Sequence, residues 1–360
     1  MASGTAYRCP ELAGEISTLE SFRRNPFIPS GNLCKAPPNK KTRSRPWKAN
    51  PLFDRLPVEI LQFILLNLDL TSLGNLRCVN QTARCAVECL RAYSLLRTHA
   101  SDTLRVMHST KCSSYFALGD LFTEFCYPWC RTCLASEQKY EFAPFLYLPS
   151  LTRSCFKCNT LRDEYQPGEV GDICFRFGLK KRDINKAGLP LVHAIDRGAR
   201  SHCQRPIADV TQAKALATKI HGSIEAATDI YCQRLNRHPH TRPRPRPDPT
   251  STRYWRLSAT VALPYFDRAT QKTETGVYCR ACTYHWEQGF AKDWKRGETI
   301  LHPHPPNREA YFQAFLERDI PKHFEVCKNV KKGYDFSRKK DRRSCSRQGE
   351  DFIVGPANQV

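Results

Sequence analysis

The chain has 360 residues, 41% of them hydrophobic and 11% aromatic, which is too apolar for a wholly disordered polypeptide and enough for one large core or two to three smaller ones. Its longest strongly apolar stretch, Ile60 to Leu68, is interrupted by Gln62 and Asn67 and falls far short of the roughly 20 residues of a membrane span; Met1 to Ser21 shows no basic segment followed by an apolar one, so an intracellular protein without a membrane anchor is expected. The formal net charge is +21, but residues 35–48, 234–256 and 328–343 together hold twenty-one basic and three acidic residues, so +18 of it sits in three runs and the rest of the chain is close to neutral.

In chain order, residues 1–50 mix Pro, Gly, Ser and basic residues, and Pro37, Pro38 and Pro46 break any helix, so a disordered basic arm is expected. From Asp54 the pattern turns helical, and residues 51–98 read as one module. Ile60, Leu61, Ile64, Leu65 and Leu68 recur at steps of three and four, with Pro57 in the first turn. A short helix follows from Thr71 with Leu73, Leu76 and Val79 on one stripe. A third starts near Asn80, a good N-cap, carries Ala83, Val87 and Leu90, and runs on toward His99.

Residues 112–236 form a Cys-rich and then helical region. Residues 112–165 combine Cys, aromatics and Pro with extended pieces such as Phe142 to Leu148, the composition of a small domain that needs a staple. Further on, Val210, Leu216, Ile220 and Ile224 give a helix an apolar face, opened by Asp209 with Gln212 in a capping-box pattern and kinked or ended by Gly222. Residues 237–252 interleave Pro239, Pro243, Pro245, Pro247 and Pro249 with arginines, as a polyproline-like linker does. In residues 253–330, Tyr254 to Tyr265 reads as strand-containing, and Tyr311 to Leu316 and Pro321 to Lys328 read as short helices. Residues 331–360 read as a basic disordered tail. The fold class expected is mainly α: a three-helix module followed by a mixed, helix-rich body.

In a reducing compartment the 18 cysteines point to metal rather than disulfides. Cys130-x2-Cys133 and Cys155-x2-Cys158, 21 residues apart, form two knuckles that complete a four-thiolate zinc site, with Cys126 the substitute if one ligand is misassigned. Cys279-x2-Cys282 finds its best distant partners in His323 and Cys327, four residues apart on one face of a helix; His285 is a rival third ligand. Four protein ligands leave no open position, so both zinc ions are expected to be structural. No phosphate loop, nucleophile elbow or dinucleotide fingerprint is present, and a non-catalytic protein is expected.

The segment Leu52 to Leu96 resembles the F-box family, through Leu56-Pro57, Glu59-Ile60, the Ile64/Leu65/Leu68 spacing, Leu73, Leu76, Val79-Asn80 and Ala83-Arg84. The resemblance implies an adaptor of a cullin-based ubiquitin ligase, joined to the cullin scaffold through a Skp-family subunit. It assigns Leu56, Pro57, Ile60, Leu61, Ile64, Leu68, Leu73, Leu76 and Val79 to that interface or the core beneath it. Beyond the F-box the chain resembles a subset of fungal F-box proteins: a pair after aromatic-Pro sequence, a second after Leu148-Pro149, and a late pair followed by His323-Phe324 and Cys327. The second reading is a zinc-dependent nucleic-acid-binding protein, suggested by the basic runs with Trp47, Tyr254 and Trp255 as stacking residues. Lys331-Lys332 and Arg338 to Arg343 match a nuclear-import pattern, so nuclear or cytoplasmic residence is expected.

Overall fold

The computed structural model describes residues 4–8, 56–137, 139–195, 204–237, 259–283, 313–332 and 350–354. Strand β1 (Gly4–Arg8) is followed by four short helices, α1 (Val58–Leu66), α2 (Leu70–Val79), α3 (Gln81–Cys89) and α4 (Arg91–His99). Pro57, expected inside the first turn, is instead the N-cap of α1. It has no N–H to satisfy, and its carbonyl accepts from Leu61 N at 3.1 Å. The Asp69 carboxylate accepts from Thr71 N and Ser72 N at 2.9 Å to start α2, and the Asn80 side chain accepts from Ala83 N at 2.8 Å to start α3.

The expected third helix does not run through to His99. It breaks at Leu90, whose extended backbone (φ −67°, ψ 113°) separates α3 from α4. The break keeps apolar side chains facing inward: Ala83, Val87 and Leu90 before it and Ala92, Tyr93 and Leu96 after it are all buried. Arg77 Nε donates to Glu88 Oε1 at 2.7 Å and ties α2 to α3.

The chain continues through α5 (Ser101–Ser109), α6 (Leu118–Phe125) and α7 (Arg131–Glu137) to the hairpin β2 (Phe145–Tyr147) and β3 (Thr152–Ser154), then α8 (Phe156–Leu161), β4 (Pro167–Glu169), α9 (Val170–Arg176) and α10 (Lys181–Ala187). Helix α6 lies close to α1 because position 119 is glycine; a Cβ there would sit 3.2 Å from the Leu66 carbonyl oxygen. Next come β5 (Val192–Ile195), β6 (Gln204–Asp209), α11 (Val210–His221) and α12 (Ile224–Arg237). Gly222 ends α11 with φ +86°.

Only half of the capping box at Asp209 forms. Asp209 accepts from Gln212 N at 2.7 Å, but the Gln212 amide reaches Pro149 O instead of the cap backbone. The buried stripe of α11 is Ala213 and Ala217, both fully buried, which lets its backbone approach its neighbours; Ile220 is left 46% exposed.

The last described elements are β7 (Thr260–Ala262), β8 (Tyr265–Asp267), β9 (Lys272–Glu274), β10 (Tyr278–Cys279), α13 (Ile320–Val326), α14 (Lys328–Lys331) and β11 (Glu350–Val354). The sheets have strand orders β3-β2-β7, β4-β6-β5, β8-β9 and β10-β1-β11, with every pairing antiparallel. The C-terminal segment adds β7 to the β2–β3 hairpin, Phe145 pairing with Ala262 across β2 and β7. Strands β1 and β11 lie in stretches expected to be irregular. The helix expected over Tyr311 to Leu316 is absent from its described part: Phe315 pairs with Val277 by two backbone hydrogen bonds, and Ala314 and Leu316 point inward in a strand-like alternation. Residues 237–252, apart from Arg237 at the end of α12, and most of residues 1–50 lie outside the described residues.

One large core runs from Leu65, Leu73 and Leu96 in the first helices, through Leu121, Phe125 and Cys130, to Leu146, Ile207, Val261 and Phe266. Arg153, with no exposed surface, is bonded at its centre. Its Nε donates to Glu124 O at 2.7 Å, Nη1 to Ala143 O and Nη2 to Pro264 O, both at 2.5 Å, so one guanidinium joins α6, the loop before β2 and the loop after β7. Burial lowers its pKa to about 9, partly offset by the Glu124 carboxylate, so it stays charged at neutral pH.

Candidate functional site

Helix α1 is apolar on two sides. One stripe, Leu61, Leu65 and Leu66, packs on the large core, with Leu65 1% exposed. The other presents Ile60 (49% exposed), Phe63 (68%) and Ile64 (43%), with Leu56 and Val58 exposed at its start; Val79 (69%), at the end of α2, is exposed as well. Water-facing side chains of this size gain nothing from the fold that displays them.

Of the nine residues assigned to the adaptor interface or the core beneath it, Leu56, Pro57, Ile60, Ile64 and Val79 are exposed and Leu61, Leu68 and Leu76 half-buried. Leu73, at 0% exposure, belongs to the core. Val58 and Phe63 were not singled out from sequence, although Phe63 follows Ile60 by three residues, a spacing that puts both on one face.

The first cysteine cluster is built by two helix starts. Cys130 precedes α7 and Cys133 lies in its first turn; Cys155 is the N-cap of α8 and Cys158 lies within it, with Cys155 Sγ accepting from Cys158 N at 3.5 Å. The β2–β3 hairpin folds one pair over the other. All four sulfurs lie within 4.8 Å of one another, with Cys133 to Cys158 at 3.4 Å and Cys133 to Cys155 at 3.7 Å. Disulfide sulfurs sit near ~2.05 Å. Four thiolates about 2.3 Å from one tetrahedral ion sit roughly 3.8 Å apart, so this cluster can hold a metal ion. Without one, hydrogen bonds from Cys155 and Cys158 hold Cys130 low, and Cys133 is lowered chiefly by Cys155; Cys155 and Cys158 are raised because they keep the shared protons.

The surroundings hold this cluster firmly. Cys130 N donates to Glu141 O at 2.8 Å, Thr132 and Tyr165 share a hydrogen bond at 2.7 Å, and Arg131 lies 3.6 Å from the centre of the Tyr127 ring while bonding Glu124 at 2.6 Å. Cys126, the expected substitute, caps α6 and is no part of the cluster. A cavity of about 170 Å³ adjoins it, with Phe142, Phe156 and Ala314 in its lining and Lys139, Lys157 and Glu141 supplying charges of both signs.

The second cluster gathers Cys279, Cys282, His323 and Cys327 within 4.8 Å. Cys282 Sγ is 3.5 Å from Cys327 Sγ and 3.6 Å from His323 Nε2, again spacings that fit one tetrahedral ion. His323 and Cys327 do not both lie within a helix: Cys327 is the C-cap of α13, with extended backbone, and its N–H donates to His323 O at 2.8 Å. Burial alone would lower the His323 pKa, but hydrogen bonds with Cys282 and Cys327 outweigh it and raise it to about 9. A bound ion takes the place of that proton. Asn329 Nδ2 donates to Cys282 Sγ at 3.6 Å. His285, the rival ligand, lies outside the described residues.

No described helix is long and apolar enough to cross a membrane. The family model for the F-box domain matches residues 53–94, the stretch that holds α1, α2, α3 and the start of α4. The chain therefore carries an F-box, the domain through which substrate adaptors join SCF-type cullin ubiquitin ligases by way of a Skp-type subunit. No curated protein and no solved structure matches the chain.

Proposed function

We propose that this protein is the substrate-recognition adaptor of an SCF-type ubiquitin ligase: its F-box docks on a Skp-family subunit, and its body, stapled by two structural zinc ions, captures a protein substrate. The observation that carries this reading is the second apolar stripe of α1, where Ile60, Phe63 and Ile64 face water while the opposite stripe seals the chain's own core. A surface of that kind is stabilised by a partner groove.

The body contributes by proximity. A target held near a ubiquitin-loaded enzyme sees a raised effective concentration, and no side chain of this chain performs the chemistry. Four protein ligands at each cluster leave no coordination position for substrate or water, which supports a structural role for zinc. The cavity beside the first cluster is a rigidly framed place for one side chain of a captured segment.

Co-expression with a Skp-family subunit tests the reading. The pair is expected to co-purify with two zinc ions per chain, and Ile64→Glu to abolish co-purification with the zinc content unchanged. Retained co-purification of Ile64→Glu would count against it. Salt-dependent capture of nucleic acid without adaptor binding would favour the nucleic-acid reading instead.

A further inference from the structure

We propose that the second cluster is a metal-dependent clasp on both ends of the chain. An ion on Cys279, Cys282, His323 and Cys327 holds strand β1, and through it β11, against the body; losing that ion frees both while the core around the first cluster stays folded. This rests on the cluster being a metal site.

Connectivity is the first argument. Strand β1 is the middle strand of its sheet: Ala6 pairs with the ligand Cys279 itself and Tyr7 with Tyr278, while all five residues of β1 pair with β11, from Gly4 with Val354 to Arg8 with Glu350. Among the described residues β11 has no other strand beside it, so it is held only as well as β1 is. The β10 side of the sheet offers two paired residues, too few to hold a strand by backbone bonding alone.

At Ala6, packing adds what the backbone pairing lacks, and ligands supply much of it. The Ala6 methyl group is fully buried in a separate cluster of eight buried residues, of which Cys279, Cys282 and Cys327 are three. Subtract the ligands and Ala6 is left with the buried Val277, Ala281, Ile320 and Phe324 and the half-buried Phe315 and Val330, a core too small to persist without its staple.

The first cluster stands in a different position. Its Cys130, Cys133 and Cys158 belong to the large core that reaches back to Leu73 and Leu96. Removing the second ion should therefore cost a local unit and leave the main one intact.

Linkage makes the coupling testable from both directions. In full-length zinc-loaded protein, Cys327→Ser is expected to reduce the content from two ions to one. Hydrogen exchange should then show backbone amides in 4–8 and 350–354 losing about tenfold or more of their protection, with those of 145–147 and α4 unchanged. Loss of one ion with protection at both ends retained would overturn the clasp.

A wild-type chain that binds no metal, or a Cys327→Ser chain that keeps two ions, would instead overturn the metal reading beneath it. The reciprocal variant, Ala6→Asp, leaves every ligand in place. It is expected to weaken zinc binding at one of the two sites by about five- to a hundredfold, read at equilibrium in competition with a chromogenic chelator. Two unchanged affinities would sink the proposal.

Discussion

Helix α1 and the first cysteine cluster are both incomplete, in opposite ways. The helix shows apolar side chains to water that no part of the described chain covers, whereas the cluster crowds four cysteine sulfurs together, three of them buried, with no positive charge among them. In the proposed reading the first is completed by another polypeptide and the second by an ion. The difference lies in what surrounds each: α1 has a second stripe that anchors it, so its outer stripe is free to serve binding, while the cysteines lie at the crossing of two helix starts and a hairpin, where any change propagates into the core.

The sharpest way to break the comparison is to remove the ion. Structural zinc contributes on the order of 10 kcal/mol or more, comparable to the whole stability of a domain. A strong zinc chelator at neutral pH, or Cys133→Ser, is expected to abolish the cooperative thermal transition of the body followed by circular dichroism; an unchanged melt would show that the thiols hold the fold alone.

Arg153→Met comes next. It leaves the carbonyls of Ala143 and Pro264 without the guanidinium donor, while Glu124 O keeps Tyr127 N, and a loss of about 2–5 kcal/mol in denaturant unfolding is expected, far more than an ordinary surface arginine.

The two stripes of α1 provide the next test. Leu65→Ala should cost about 2–5 kcal/mol of stability, as core truncations do. Ile64→Glu, one residue earlier, should change stability by no more than about 0.5 kcal/mol while costing adaptor affinity roughly 2 kcal/mol or more in a titration. Equal effects on stability would erase the distinction between the stripes.

The smallest effect concerns Asp209, which accepts from Tyr147 Oη at 2.8 Å and caps α11. Burial raises its carboxyl pKa against the pull of those hydrogen bonds, so the folded state holds the proton more tightly than the unfolded one. The stability it contributes is complete below the unfolded value and declines as pH rises through the raised folded value. Asp209→Asn keeps the cap and the tyrosine partner; it should remove that slope and shift stability at neutral pH by about 1 kcal/mol or less, checked by denaturation at two pH values.

Much of this was legible in the sequence where the signal is local. Two-residue cysteine spacings and the four-residue step from His323 to Cys327 pick out the eight residues that the fold gathers, and three- and four-residue periodicity marks α1 and α2. Asn80 and Asp209 cap as their types suggest, although Gln212 turns to Pro149 because a tertiary acceptor lies closer to hand. Distant relations were not legible. Five residues of β1 carry no period that distinguishes a strand from an arm, and their partners lie more than 270 residues away. Nor does any pattern announce that Arg153 is interior, or that Leu65 faces inward while Phe63 faces out; α1 is apolar on both sides, and periodicity alone does not say which side meets water.

The outward stripe of α1 also ties the protein's lifetime to its company. A solitary copy exposes phenylalanine and isoleucine side chains that invite self-association, so the chain made alone should form oligomers as its concentration rises. Because a ligand of the native state stabilises it in proportion to occupancy, an excess of the docking subunit should keep the chain monodisperse and long-lived, and its abundance should follow that subunit's supply.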